Sequence, residues 1–246
     1  MYNKKEISAL KQAVYEANML LVDYKLVIHT WGNVSGITQN RDYLVIKPSG
    51  VAYQSLQAED MVIVEMATGR VIDSQYQPSS DTPTHRLIYL NDNQIQGIVH
   101  THSPYAVAWA QAGEDIPCFG TTHADNFYGS VPCTRELTEE EIAKDYEYNT
   151  GIVIIQDFEK RQKTFEQIPA VLVKEHGPFT FSTKSPKDAV DLALTLEEVA
   201  KMAIYTMAIN PRQTAANQFL QNKHYWRKHG KNAYYGQKNK DEKSSS

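Results

Sequence analysis

The chain has 246 residues, 41% of them hydrophobic and 22% charged, with a formal net charge of −4 and a pI near 6.1. That length fills one large domain or two small ones and allows a full-sized core. The balance lacks the basic excess of bulk nucleic-acid binding, and the two cysteines, Cys118 and Cys133, form neither a C-x-x-C motif nor a disulfide framework.

In chain order, residues 4–27 place apolar side chains at helical spacing and predict an amphipathic helix. Residues 33–50 and 61–72 each predict a pair of strands, with Asn40 and Gly69 near the turns. Residues 78–92, PSSDTPTHRLIYLND, put a capping cluster before a helical run. IQGIVHTH, 95–102, predicts a strand, and SPYAVAWAQAG, 103–113, a helix with Pro104 in its first turn. Residues 137–158 predict one helix, and 168–183 two strands joined at His176-Gly177-Pro178. Long helices are expected over 185–210 and 214–230, and a polar, disordered tail over 238–246. With no internal repeat and no linker composition, one α/β domain over 1–237, with helices flanking a sheet, is the simplest account.

The N-terminal MYNKKEISALKQAV lacks the apolar run of a signal peptide. The most apolar long segment carries Asp188, Asp191, Glu197, Glu198 and Lys201, too many charges for a membrane span. A soluble cytoplasmic protein with neither nucleic-acid nor membrane partners is expected.

The histidines are more informative. Residues two apart on a strand share a face, so His100 and His102 would point the same way. His176 ends another apolar strand, AVLVKEH. Three neutral imidazoles can hold a divalent ion and leave positions open, as in catalytic zinc sites, although imidazole suits other first-row metals too. A buried, hydrogen-bonded histidine pair is the alternative. Asp81, in a turn at a helix start, is a candidate fourth ligand. Two short hydroxyl-rich stretches could cradle an anion. KPSG offers the charge of Lys47, then Ser49 and Gly50, and PSSDT places Ser79 and Ser80 before a helix N-terminus. His29, His85 and His123 are assigned to structure. The residues alone do not decide whether Tyr234 or Tyr235 faces a site.

TWGNVSG, IKPSGV, PSSDTPTH, GIVHTHS, GTTHADNFYG, LVKEHGPF and KHYWRKHGKNAYYGQ occur in that order between residues 30 and 237. Together they resemble the class II aldolase/epimerase family, the aldolase class II/adducin head group. That resemblance implies a three-layer α/β/α fold with a largely antiparallel central sheet. It also implies a homotetramer with fourfold symmetry, active sites at subunit interfaces, a small sugar-phosphate substrate and one divalent metal per subunit, zinc in first place and manganese in second. Carried over motif by motif, the metal ligands are Asp81, His100, His102 and His176. The substrate-binding residues are Asn33, Lys47, Ser49, Gly50, Ser79, Ser80, Thr121, His224 and Arg227. Asp125 and Tyr235 match the family's acid/base pair, contributed by a neighbouring subunit. The implied activity is metal-assisted breaking and remaking of a carbon–carbon bond in a sugar phosphate, in the epimerase branch, within carbohydrate metabolism such as arabinose use. Two rivals are a class II sugar-phosphate aldolase of the L-fuculose-1-phosphate type and a non-catalytic metal-binding homologue. In such aldolases a glutamate base resembles the position of Asp81, where the shorter side chain suits a ligand.

Overall fold

The computed structural model describes residues 3–230 and 233–234. Tyr235 and the tail expected over 238–246 lie outside the described residues. The elements, in order, are α1 (Lys4–Asp23), β1 (Asn33–Ile37), β2 (Tyr43–Ile46), β3 (Val62–Glu65), β4 (Val71–Ile72), α2 (Thr82–Asn91), β5 (Gly97–His100) and α3 (Pro104–Ala112). They continue with α4 (Thr121–Ala124), α5 (Glu139–Ala143), α6 (Tyr146–Arg161), β6 (Ala170–Val173), β7 (Gly177–Ser182), α7 (Pro186–Ile209) and α8 (Gln218–His229). Two short 3-10 turns, Tyr53–Ser55 and Ala58–Asp60, lie between β2 and β3.

The strands form one seven-stranded sheet in the order β4-β3-β2-β1-β5-β7-β6. Every strand pairing among the described residues is antiparallel. Side-chain alternation divides the sheet's neighbours into two layers. Val34 and Val99 pack with Ala17 and Leu21 of α1 and with Ala189 and Val190 of α7, while Val45 and Ile63 pack with Ile7 and Val14 of α1. The opposite face carries Ile37, Leu44, Ile46, Val62, Val64 and Ile98 against Ile88 and Tyr89 of α2 and Val153 and Ile154 of α6. The expected three-layer arrangement is therefore present, with a sheet that is antiparallel throughout.

Two close contacts fix α7 and, through it, the neighbourhood of the histidines. A Cβ added at Gly97 would lie 2.6 Å from Pro186 Cα and from Ser185 O, so the start of α7 sits on β5 only because glycine stands there. Farther along, the buried Glu197 reaches from α7 to the N-terminus of α3. Its two carboxylate oxygens accept from Tyr105 N and Ala106 N, each at 2.9 Å. Hydrogen bonds to a charged group contribute about 1.5–3 kcal/mol each, and these hold a helix that begins two residues after His102.

Several local expectations are corrected. The strand expected over 95–102 stops at His100, so His102 is outside the sheet. The β6–β7 turn is residues 174–176, with Glu175 at φ 63, and Gly177 and Pro178 already belong to β7. The single helix expected over 137–158 is two, α5 and α6, broken at Lys144 and Asp145, where Asp145 takes a left-handed φ of 53. α1 ends at Asp23 rather than Val27. The short α4 was not expected. No helix among the described residues is long and apolar enough to cross a membrane.

The fold also encloses two histidines that take no part in the triad. His85 is buried, with Nδ1 2.8 Å from Ser35 Oγ, and His123 Nε2 donates to Gly129 O at 2.7 Å. Burial pushes His123 down to about 4 and His85 down to about 3. Both are therefore neutral in the folded chain, whereas an unfolded chain protonates each near the ordinary value of 6.5. Stability is complete above that value and declines as pH falls through the interval down to about 4 for His123 and about 3 for His85. Thermal unfolding between about pH 7.5 and 4.5 should show a falling Tm, with a shallower fall in His123→Asn. A Tm slope unchanged in that variant would remove His123 from this account.

Candidate functional site

The site lies where several chain segments leave one end of the sheet. β5–β7 pairing sets His100 opposite Phe179, and the His100 ring stacks on that phenyl at 4.3 Å and 21°. His100 Nδ1 donates to Pro178 O at 3.0 Å, which leaves Nε2 with the free lone pair. His102 follows outside the strand, its Nε2 3.0 Å from His100 Nε2. His176, from the β6–β7 turn, brings its ring centre to 4.6 Å from that of His100 and 5.3 Å from that of His102. One ring nitrogen from each of the three lies within 4.8 Å of the others.

Burial, with His100 close by, pushes His176 down to about 3, and burial lowers His102 as well. These two rings are thus unprotonated near neutral pH, the state in which imidazole binds a metal. Two imidazoles can share one proton, but a third ring converging on them gains nothing from that arrangement. A divalent cation satisfies all three, so the donor set fits a metal better than it fits a hydrogen-bonded pair. The triad can hold a metal ion, and ligand type does not fix which one.

The two anion-binding stretches, separate in sequence, form one wall. Pro48 and Pro78 meet in an isolated antiparallel bridge, flanked by Ser49 N donating to Gln77 O and Ser79 N donating to Lys47 O, both at 2.9 Å. Lys47 Nζ is buried over the Tyr53 ring at 4.8 Å and donates to the carbonyls of Thr30, Pro48 and Val51. Burial pushes this ammonium down to about 8. Tyr53 OH donates to Trp31 O at 2.9 Å and Gly32 O at 3.0 Å, tying a third loop to the same wall.

Asn33 joins the two halves. It pairs with His100 in the β1–β5 register, and its Nδ2 lies 3.0 Å from Ser79 Oγ and 2.6 Å from Asp81 Oδ2. Its Oδ1 is buried with no hydrogen-bond partner among the described residues. Asp81 occupies the N-cap position of α2 but makes no side-chain cap bond, so its carboxylate is turned elsewhere. A cavity of about 470 Å³ is lined by Asn33, Lys47, Ser49, Gly50, Ser79, Ser80, Asp81, His100, His102 and His176. Asp81 lines the cavity without belonging to the three-histidine cluster.

The other expected residues stand apart from this cavity. Asp125, just after α4, accepts from His224 Nδ1 at 3.1 Å and from Arg227 Nε and Nη2 at 3.0 and 2.7 Å, both partners being on α8. Burial would raise the Asp125 carboxyl, but the Arg227 and His224 bonds outweigh it and hold the group below the usual carboxylate range. Thr121 opens α4, and its carbonyl accepts from Asp125 N at 2.9 Å. None of Thr121, Asp125, His224 or Arg227 lines the histidine cavity. Tyr235 lies outside the described residues, and Tyr234 N donates to Arg227 O at 3.0 Å. Sequence reasoning missed six lining residues, Pro48 within KPSG and Thr30, Trp31, Gly32, Tyr146 and Glu147. Thr30, Trp31 and Gly32 adjoin Asn33 in TWGNVSG. Tyr146 and Glu147 follow the helix break at Asp145, for which the sequence carries no glycine or proline signal.

The Class II Aldolase and Adducin N-terminal domain family matches residues 12–204. The chain belongs to this family. A protein of Mycoplasma pneumoniae described as "Probable L-ribulose-5-phosphate 4-epimerase UlaF" is 55% identical over 240 residues, covering 98% of this chain and 99% of the relative. Among solved structures, an L-fuculose 1-phosphate aldolase superposes with a TM-score of 0.72 at 23% identity, covering 91% of this chain and 96% of the other. A second L-fuculose 1-phosphate aldolase, from Glaciozyma antarctica PI12, gives 0.70 at 17% identity, covering 89% and 81%. This chain shares their class II aldolase fold, here seen as helices around an antiparallel sheet.

Convergence of the triad depends on Gly177. A Cβ there would lie 2.8 Å from Thr101 O and 3.5 Å from His100 Cε1. Gly177→Ala must therefore push the Thr101–His102 backbone away from the β6–β7 turn. The expected outcome is at least a tenfold loss of affinity for Zn2+, on the order of the effects that misplaced ligand supports produce, read by chelator competition. Affinity equal to that of the parent would show that the close approach is dispensable.

Proposed function

We propose that the protein interconverts L-ribulose 5-phosphate and D-xylulose 5-phosphate, inverting C4 by cleaving and re-forming the C3–C4 bond. The observation that carries this reading is the meeting, in one cavity, of a three-histidine cluster with a hydroxyl-lined cradle. The name and 55% identity of the Mycoplasma pneumoniae relative support the choice of substrate.

The substrate's own chemistry sets the demands. The C4 hydrogen is not adjacent to the C2 ketone, so removing and returning it as a proton is not available. The C4 hydroxyl is β to the ketone, so a retro-aldol step can open C3–C4 to the enediolate of dihydroxyacetone and glycolaldehyde phosphate. Turning the aldehyde before the bond re-forms inverts C4.

In this reading His100, His102 and His176, with Asp81 as fourth ligand, would hold one divalent ion per subunit, zinc in first place and manganese in second. Such an ion supplies Lewis-acid polarisation of the substrate's ketone. Ser49, Gly50, Ser79 and Ser80 retain the phosphate, so the aldehyde fragment can rotate without escaping. Lys47, its three N–H groups held by carbonyls, contributes positive charge to the cavity wall, and the unpartnered Asn33 Oδ1 accepts from a substrate hydroxyl. Two proton-transfer groups are needed, one for each aldehyde face. Asp125, kept ionised by Arg227 and His224, is the acceptor proposed for one face, and Tyr235 is its proposed counterpart. Because Asp125 stands outside this cavity within one chain, the assembly proposed is a homotetramer whose neighbouring subunits supply Asp125, Tyr235, Thr121, His224 and Arg227. Residues 1–237 then act as a single catalytic domain.

An aldolase of the L-fuculose-1-phosphate type is the second reading, supported by the shared fold. Turnover of L-ribulose 5-phosphate measured beside cleavage of L-fuculose 1-phosphate separates the two. Epimerisation without net release of aldehyde is expected, whereas cleavage of the fuculose ester alone would overturn the proposal. His100→Ala and His176→Ala should lose both bound metal and activity. Asp125→Asn should keep its metal and lose about 10²–10⁴-fold in turnover. Normal turnover in Asp125→Asn would exclude it from proton transfer.

A further inference from the structure

We propose that Tyr146 is a positioning residue for the metal centre, accepting the Nδ1 proton of His176 and so presenting Nε2 of that ring to the ion. This rests on the reading of the three histidines as a metal site. The phenol oxygen lies 3.2 Å from His176 Nδ1, with the two ring centres 5.8 Å apart.

Neutral imidazole carries one proton on either nitrogen, and only the bare nitrogen can bind a metal. For His100 the choice is made by Pro178 O, a carbonyl that can only accept. His176 sits in a three-residue turn whose middle residue, Glu175, is exposed and takes φ 63. The hydrogen-bond partner of its ring among the described residues is Tyr146. Without the hydroxyl, the ring can carry its proton on Nε2 or turn over, and either change removes the third donor.

The phenol is well placed to direct another side chain because its own backbone is held from several sides. Asn149 Nδ2 donates to Lys144 O at 2.6 Å and Glu141 O at 3.0 Å, bracing the break between α5 and α6. Thr150 Oγ1 donates to Tyr146 O at 2.9 Å, and Thr84 Oγ1 of α2 donates to Glu147 O at 2.5 Å. The N-terminus of α6 is thereby fastened to the helix that begins beside Asp81.

Partners of metal-ligating histidines typically support about 10–100-fold in metal affinity. Tyr146→Phe removes the oxygen and keeps the ring. In the full-length protein, chelator competition should show Zn2+ affinity about 10–100-fold below the parent, and the d–d bands of the Co2+ form should shift. Tyr148→Phe, an exposed tyrosine on the same helix, should leave both unchanged. At saturating metal, kcat of Tyr146→Phe should return towards that of the parent, which a general loss of packing would not allow. Zn2+ affinity of Tyr146→Phe within twofold of the parent, or an equal loss in Tyr148→Phe, overturns the proposal. A parent that binds neither Zn2+ nor Co2+ overturns the metal reading itself, and this inference with it.

Discussion

The site depends on one constraint: three imidazoles must converge while their lone pairs stay free of protons. Burial answers the second half of that demand by disfavouring charge on His102 and His176. The first half is geometric, and the sheet supplies it. Antiparallel pairing of β5 with β7 sets His100 beside Phe179 and points its Nδ1 at Pro178 O. The same pairing brings the β6–β7 turn, and so His176, to the end of β5. The bare Cα of Gly177 is what allows that turn to close on Thr101. His102, outside the strand, is steadied less directly, through an α3 N-terminus anchored by Glu197.

The cradle obeys a related logic. An aspartate at a helix N-cap ordinarily accepts from the first turn of its own helix, but Asp81 makes no such bond and its Oδ2 takes the Asn33 amide instead. Thr82 N of the first turn is taken by Ser79 O at 3.1 Å, and Pro83 carries no N–H, so the unmade cap frees the Asp81 carboxylate rather than the helix end. Asn33 is the hinge of the arrangement, because the register that sets it opposite His100 also brings Ser79 and Asp81 within its reach. The histidine end of the cavity and the serine wall are thus joined through one amide.

Much of this was readable in the sequence, for identifiable reasons. Strands such as VIVE and GIVH are short apolar runs between turn signals, and their order with the helical stretches indicates a layered α/β fold. Histidines at the ends of two apolar strands announce themselves because burying them without a partner is costly. What could not be read was long-range pairing between segments with no periodicity. The Pro48–Pro78 bridge joins two loops, and proline is a poor predictor of pairing because it donates no N–H. Tyr146 and Glu147 were hidden for another reason. Apolar residues continue at helical spacing across 142–154, and Asp145 breaks the helix by adopting a left-handed conformation that its side chain tolerates but does not dictate. A continuous helix would have carried Tyr146 past the site as an ordinary packing residue.

The separation of the two charged clusters bears on how inversion can work. The cavity gathers the triad, Asp81, Asn33 and the two serine stretches in one chain. It does not contain the Asp125–Arg227–His224 cluster. Inversion requires proton delivery to either face of a rotating aldehyde, and a single wall reaches only one face. Trp31, 49% exposed while lining the cavity, leaves apolar surface where a second chain can approach. If a neighbouring copy brings its own Asp125 to that opening, binding and proton transfer divide between subunits. Under that division, dissociating the assembly should cost turnover far more than metal content, because the three histidines lie in one chain and Asp125 would come from another.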